Sequence, residues 1–292
     1  MSVIAVVNRK GGSGKSTLAT HIAAVFANVG ATVALGDIDR QQSTRAWLKH
    51  RKISGERTRI LGWNVDAKTF VRAPVGIDHV VMDTPGGLMG LDLARVVMYA
   101  DAIVMPVSNS LFDRTSAADC LAELRTMPRV QSGRCRVAAV GMRIDPHASA
   151  ADRLRAWSAE HKLPLITVLP QSHAYVHCAE QGLTLFDVPQ LQVEEELSHW
   201  KPLLQWMRPL LQPPANGGTT LAGAALPDVA KPAAGAPVVD QPKPDTLSRG
   251  PRTTAPLREA GATPETPRSD ESASGTRPRD FLPLPRFLQR KP

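Results

Sequence analysis

Residues Lys10 to Thr17 read KGGSGKST and follow directly on the apolar run Val3 to Val7, VIAVV. A strand that ends in a glycine-rich loop and opens a helix turns backbone N–H groups and the positive helix end toward one point. A phosphate chain fits that point. Gly11, Gly12 and Gly14 let the backbone come close and take positive φ, Lys15 can reach the β and γ phosphates, and the Ser16 hydroxyl can take a Mg²⁺ position. The stretch Lys10, Gly11, Gly12, Ser13, Gly14, Lys15, Ser16 and Thr17 is therefore the candidate nucleotide loop. The bland alternative is a Gly/Lys/Ser surface turn, but an apolar strand precedes this one and an apolar-periodic helix follows it.

The ordinary loop of this kind, Gly-x-x-x-x-Gly-Lys-Ser/Thr, would place its first glycine where this chain has Arg9. What remains is Lys-Gly-Gly-x-Gly-Lys-Ser, with Lys10 standing ahead of the glycines in addition to Lys15. This deviant Walker A loop resembles that of the ParA/MinD family of dimerising ATPases. The resemblance implies ATP and Mg²⁺ as ligands, with Lys10 crossing to the nucleotide of the partner subunit so that ATP joins two protomers.

Two further segments extend the resemblance. Thr32 to Ser43, TVALGDIDRQQS, reads as a strand ending in Asp37 and Asp39 and is similar to the family's second acidic motif. By that likeness Asp39 positions or activates the attacking water and Asp37 supports the metal shell. His79 to Gly87, HVVMDTPGG, is a Walker B-like strand that delivers Asp83 to the carboxyl end of the sheet, where it can hold Mg²⁺ through water. An aspartate after a strand is also a common helix cap, so each carries weight only in company with the others. The chain departs from the family at Arg40, where proline is usual, and at Gly86 and Gly87, where proline and a small residue are common. Arg40 adds charge beside the site, and the glycines are expected to loosen a switch loop.

To bring these residues together the chain needs a parallel sheet. Apolar runs and helical patterns alternate to about residue 212, the signature of an α/β fold with a doubly wound, mostly parallel sheet. Strands are expected at Val3 to Asn8, Thr32 to Asp37, Ile60 to Val65, His79 to Asp83, Ala102 to Val107, Arg136 to Met142 and Leu165 to Leu169. Helices are expected at Lys15 to Val29, Gln41 to Arg51, Leu88 to Tyr99, Phe112 to Met127, Ala148 to His161, Ala174 to Gln181 and Val193 to Leu211. From Pro213 to Pro292 the composition turns to Pro, Ala, Gly, Thr and scattered charge, which cannot bury enough apolar surface to offset ordering entropy, so a disordered tail is expected. It ends in an aromatic-basic segment, Arg279 to Pro292, that reads as a docking motif, a weak membrane foot or an incidental tail; Pro283 and Pro285 break any long amphipathic helix and count against the membrane reading.

The chain of 292 residues carries a net charge of +8, which makes a polyanionic partner plausible. Candidate phosphate contacts are Lys49, Arg51, Lys52, Arg57 and Arg59, then Arg129, Arg134 and Arg136, then Arg153 and Arg155; solvated surface is the plain reading of each cluster. Cys120, Cys135 and Cys178 are widely spaced, arguing against a disulfide framework, a zinc site or a bridging iron–sulfur cluster. His173 and His177 lie at helical spacing beside Cys178, for which a structural role is favoured. The five tryptophans read as packing groups. No apolar run is long enough to span a membrane and none reads as a signal peptide, so a cytoplasmic protein is expected; the family resemblance implies association with the nucleoid.

The expectation is thus an ATPase that dimerises on ATP and binds nucleoid DNA nonspecifically. A ParB-like or cargo-adaptor protein would stimulate it, and it would segregate or position a plasmid, a chromosome or a protein cargo. Two alternatives stand beside it: a MinD- or FlhG-like membrane-cycling spatial regulator that uses the terminal segment, and a nucleotide-gated scaffold with negligible turnover.

Overall fold

The computed structural model describes residues 1–53, 60–65 and 73–211. Seven strands, β1 (Ser2–Val6), β2 (Val33–Asp37), β3 (Ile60–Asn64), β4 (His79–Asp83), β5 (Ala102–Val107), β6 (Arg136–Met142) and β7 (Leu165–Leu169), form one sheet in the order β3-β2-β4-β1-β5-β6-β7. Every pairing is parallel. The helices are α1 (Lys15–Asn28), α2 (Ser43–Ile53), α3 (Gly90–Tyr99), α4 (Leu111–Leu124), α5 (Pro128–Gln131), α6 (Ser149–Glu160), α7 (His173–Glu180) and α8 (Glu194–Leu211). The expected tail, 213–292, lies outside the described residues.

Strand periodicity explains the three layers. On β1 and just beyond it, Val3, Ala5 and Val7 face one core with Leu93 and Val96 of α3, Leu121 of α4 and Leu154 of α6. Ile4 and Val6 face the other, with Ile22 and Phe26 of α1, Trp47 of α2 and Trp200 and Leu203 of α8. A strand buried on both faces must be apolar at successive positions, as VIAVV is. Each large side chain buried this way contributes on the order of 2 kcal/mol, and Phe26 and Trp200 are among the largest with no exposed surface. The central strand β1 lies between β4 and β5. The helices that follow β1 and β4 cover opposite faces, so a crevice opens at the carboxyl end of β1, where ligands of open α/β sheets bind.

The one helix expected over Phe112 to Met127 is divided. α4 stops at Leu124, and α5 begins afresh at Pro128. Proline disfavours the helical region for the residue before it, and Met127 is extended at φ −86, ψ 131.

Candidate nucleotide-binding site

The loop between β1 and α1 is anchored from beneath. Asn8 is fully buried; its Nδ2 donates to the Pro106 carbonyl at 2.6 Å and its Oδ1 accepts the Lys10 N–H at 2.9 Å. Gly12 and Gly14 take φ of +70 and +99, conformations that any side chain would strain. At Gly14 a Cβ would also stand 2.7 Å from the Met142 methyl. Gly14 is the N-cap of α1 and offers no side-chain acceptor to the first N–H groups of that helix, which are left for an anion.

Lys15 is buried, and its Nζ donates to the Lys10 carbonyl at 2.9 Å. Burial pushes its pKa down, against the opposing pull of Asp83 and then Asp39. Lys10 itself is exposed. The remaining loop residues, from Gly11 through Thr17, line a cleft of about 1180 Å³ together with Asp37, Asp39, Arg40 and Arg143.

Asp37 and Asp83 end neighbouring strands in register with one another. Their surroundings differ. Asp37 Oδ2 accepts from the Thr44 N–H at 3.0 Å, the Thr44 hydroxyl at 2.7 Å and the Arg45 N–H at 3.2 Å, while Oδ1 accepts the Asp39 N–H at 3.1 Å. It therefore caps α2 as well as bordering the cleft. Asp83 is the opposite case: both carboxylate oxygens are buried with no partner at hydrogen-bonding geometry, the Ser16 hydroxyl being a near neighbour. Burial pushes its pKa up to about 7; Ser16 and then Lys15 lower it, while Asp37 and Asp39 add to the rise. A buried carboxylate without donors, beside a serine hydroxyl and an open helix end, fits a divalent cation on a phosphate chain. Asp39 is half-buried at the cleft, its Oδ1 accepting the Gln41 N–H at 3.0 Å.

Gly86 and Gly87, expected to loosen a switch, instead press on the phosphate loop. A Cβ on Gly86 would stand 3.3 Å from the Gly11 backbone, and the Gly87 N–H, at φ +77, donates to the Arg9 carbonyl at 2.6 Å. Arg9 also forms an ion pair with Glu123 of α4, whose other oxygen accepts the Gly90 N–H at 2.6 Å. The residue that replaces the usual first glycine thus ties the loop to both α3 and α4.

Arg143 was not singled out by the sequence. It follows β6 at φ +56, and its guanidinium donates to the Gly12 carbonyl at 2.6 Å. The one signal it carried was its place just past the carboxyl end of a parallel strand, where side chains border the crevice.

Among the described residues, several members of the basic clusters are held by partners within the fold. Arg51, expected among the phosphate contacts, is buried in an ion pair with Asp187. Arg129 pairs with Asp101 at 3.0 Å and Arg155 with Asp152 at 2.7 Å. Arg136 lies over the Trp206 ring, 4.5 Å from its centroid, and Arg153 donates to Ser149 Oγ at 3.0 Å. Lys49 and Arg134 are exposed, whereas Arg57 and Arg59 lie outside the described residues. Among the described residues no helix is long and apolar enough to cross a membrane.

Residues 4–185 match the family model described as the CobQ/CobB/MinD/ParA nucleotide binding domain. A protein of Gloeobacter kilaueensis named for maintenance of carboxysome distribution (protein A) is 36% identical over 117 residues, 38% of this chain and 51% of that protein. The ParA protein of Rhizobium radiobacter is 27% identical over 123 residues, 41% of this chain and 55% of that protein. The chain thus spans about half the length of these two relatives. Among solved structures, the ATP complex of a Cyanothece McdA variant superposes with a TM-score of 0.56 at 14% identity, covering 74% of this chain and 99% of that one. That likeness is one of fold.

Proposed function

Because the chain belongs to the CobQ/CobB/MinD/ParA nucleotide-binding family, we propose that it is a positioning ATPase that binds Mg²⁺-ATP, dimerises around it and in that state binds DNA nonspecifically. A partner protein stimulates turnover, and the cycle segregates or positions a cargo. The observation that carries this reading is the pair of lysines around one glycine loop: Lys15 is buried within the loop while Lys10 stands exposed at its mouth. The buried lysine can serve the phosphates of its own subunit, and the family resemblance assigns the exposed one to the phosphates of a second subunit. ATP then favours the dimer by its differential affinity for that state.

In the assembled site the α1 N-terminus and Lys15 would hold the phosphates, Ser16 and Asp83 would hold Mg²⁺ with Asp37 beside them, and Asp39 would orient the attacking water. Bound Mg²⁺ would draw charge from the β and γ phosphates. The relative named for carboxysome distribution favours a protein assembly as cargo over a plasmid. The domain reading, an ATPase body over 1–212 with a tail over 213–292, belongs to the same proposal.

The test is retention of the Asp39→Ala protein on a random-sequence duplex with ATP, with ADP and without nucleotide, across a salt series. Retention that requires ATP and weakens steeply with salt supports the nucleotide-gated, phosphate-reading dimer. Absence of ATP-dependent retention at low salt would turn the reading toward a membrane-cycling or scaffold role.

A further inference from the structure

Arg51 ends up far from the role its charge suggested. On the last turn of α2 it meets Asp187 through both arms of its guanidinium, at 2.8 and 2.9 Å, with side-chain exposures of 5% and 4%. Nη1 also donates to the Gly182 carbonyl at 3.2 Å. Asp187 is held in turn by the Thr184 N–H at 2.8 Å and the Thr184 hydroxyl at 2.7 Å. One turn earlier on α2, Trp47 Nε1 donates to the Leu183 carbonyl at 3.1 Å. The packing leaves no slack: Gly182, at φ +68, lies so close to the Arg51 backbone nitrogen that a Cβ there would collide with it.

The turn 182–187 is itself fastened to α1. His21 Nε2 accepts the Leu185 N–H at 3.3 Å, and Asn28 Nδ2 donates to the Phe186 carbonyl at 2.9 Å. At its other end α2 is capped by Asp37 through Thr44 and Arg45. So α2 is a rod of 11 residues, about 16 Å long, pinned at both ends. One pin is the loop that carries Asp37 and Asp39. The other is a turn bolted to the helix that opens with the phosphate loop.

We propose that the Arg51–Asp187 pair is a positioning pair: by fixing α2 against α1 it holds the Asp37–Gln42 loop in register with the phosphate loop. The inference rests on the assignment of Asp39 above. A buried ion pair is a poor source of stability, because desolvation cancels most of the attraction; what a bidentate fork supplies is direction. Neither residue touches the cleft, so any effect on chemistry must travel through α2.

Arg51→Lys keeps the charge and loses the fork. Thr184→Val, a milder change, removes one donor from Asp187 and serves should the lysine variant not fold. For each, hydrogen exchange is measured at the amides of Asp39, Thr44 and Arg45, with ATP affinity and turnover per folded molecule. The expected result is exchange at those three amides faster by about tenfold, with turnover lower by about fivefold and ATP affinity within about twofold. Exchange changes confined to 48–53 and 182–187, or turnover per folded molecule equal to wild type, would overturn the proposal. Wild-type protein without turnover would instead sink the ATPase reading, and the exchange comparison alone then decides the role of the pair.

Discussion

His21 gives the fold a measurable pH dependence. The ring is buried at 2% exposure, stacked on Trp200 with centroids 5.2 Å apart, and burial pushes its pKa down from 6.5 to about 4. Its Nε2 accepts the Leu185 N–H, so the ring proton sits on Nδ1 and is donated to the Thr17 carbonyl at 2.8 Å. Protonation would turn Nε2 into a donor facing a donor. Because the folded pKa lies below the unfolded one, the unfolded chain binds more protons between pH 4 and 6.5, and stability must fall as pH falls through that window. Between pH 7.5 and 4.5 the loss from this one group comes to about 2.5 kcal/mol. Replacement by glutamine, His21→Gln, removes the titration and can keep an acceptor toward Leu185. Urea unfolding of both proteins at the two pH values, without nucleotide, measures this contribution as the change in their difference. Wild type should lose about 2.5 kcal/mol relative to the variant on acidification. A difference that stays constant across the two pH values refutes the buried, neutral imidazole.

Two further outcomes follow from the site. Asp37→Ala removes the acceptor for the first turn of α2 and should cost about 1–2 kcal/mol in unfolding without nucleotide, a loss a purely metal-supporting residue would not show. Gly86→Ala should leave the fold cooperative but weaken nucleotide binding up to about tenfold in titration calorimetry, because its Cβ displaces the Gly11 backbone by a few tenths of an ångström; unchanged affinity would mean the loop yields freely.

The elements were legible because their signals are local. Strands buried on both faces announce themselves as apolar runs, and the strands β4, β5, β6 and β7 fall where the sequence places them. So was the association of the glycine loop with Asp37, Asp39 and Asp83, since parallel strands bring their carboxyl ends to one edge. What was not legible depends on contacts distant in sequence. Arg51 reads as one more cation after a helix until Asp187, 136 residues away, is brought against it. Arg143 carries no motif, and its reach to Gly12 spans 131 residues. Gly86 and Gly87 suggest looseness when read locally; the backbone of Arg9 and Gly11 against them makes their small size a condition of close packing. Asp37 was open to two readings from the start, cap or metal support, and the geometry shows the cap directly.

Nucleotide-dependent association through Lys10 is the step on which the proposed cycle depends. The decisive measurement is the solution mass of the Asp39→Ala protein, by sedimentation or light scattering, with ATP and with ADP, beside the same protein carrying Lys10→Ala. The predicted result is a dimer only with ATP, and a monomer in both nucleotides once Lys10 is removed while ATP still binds. A monomer in ATP at saturating nucleotide, or a dimer that persists without Lys10, would contradict it.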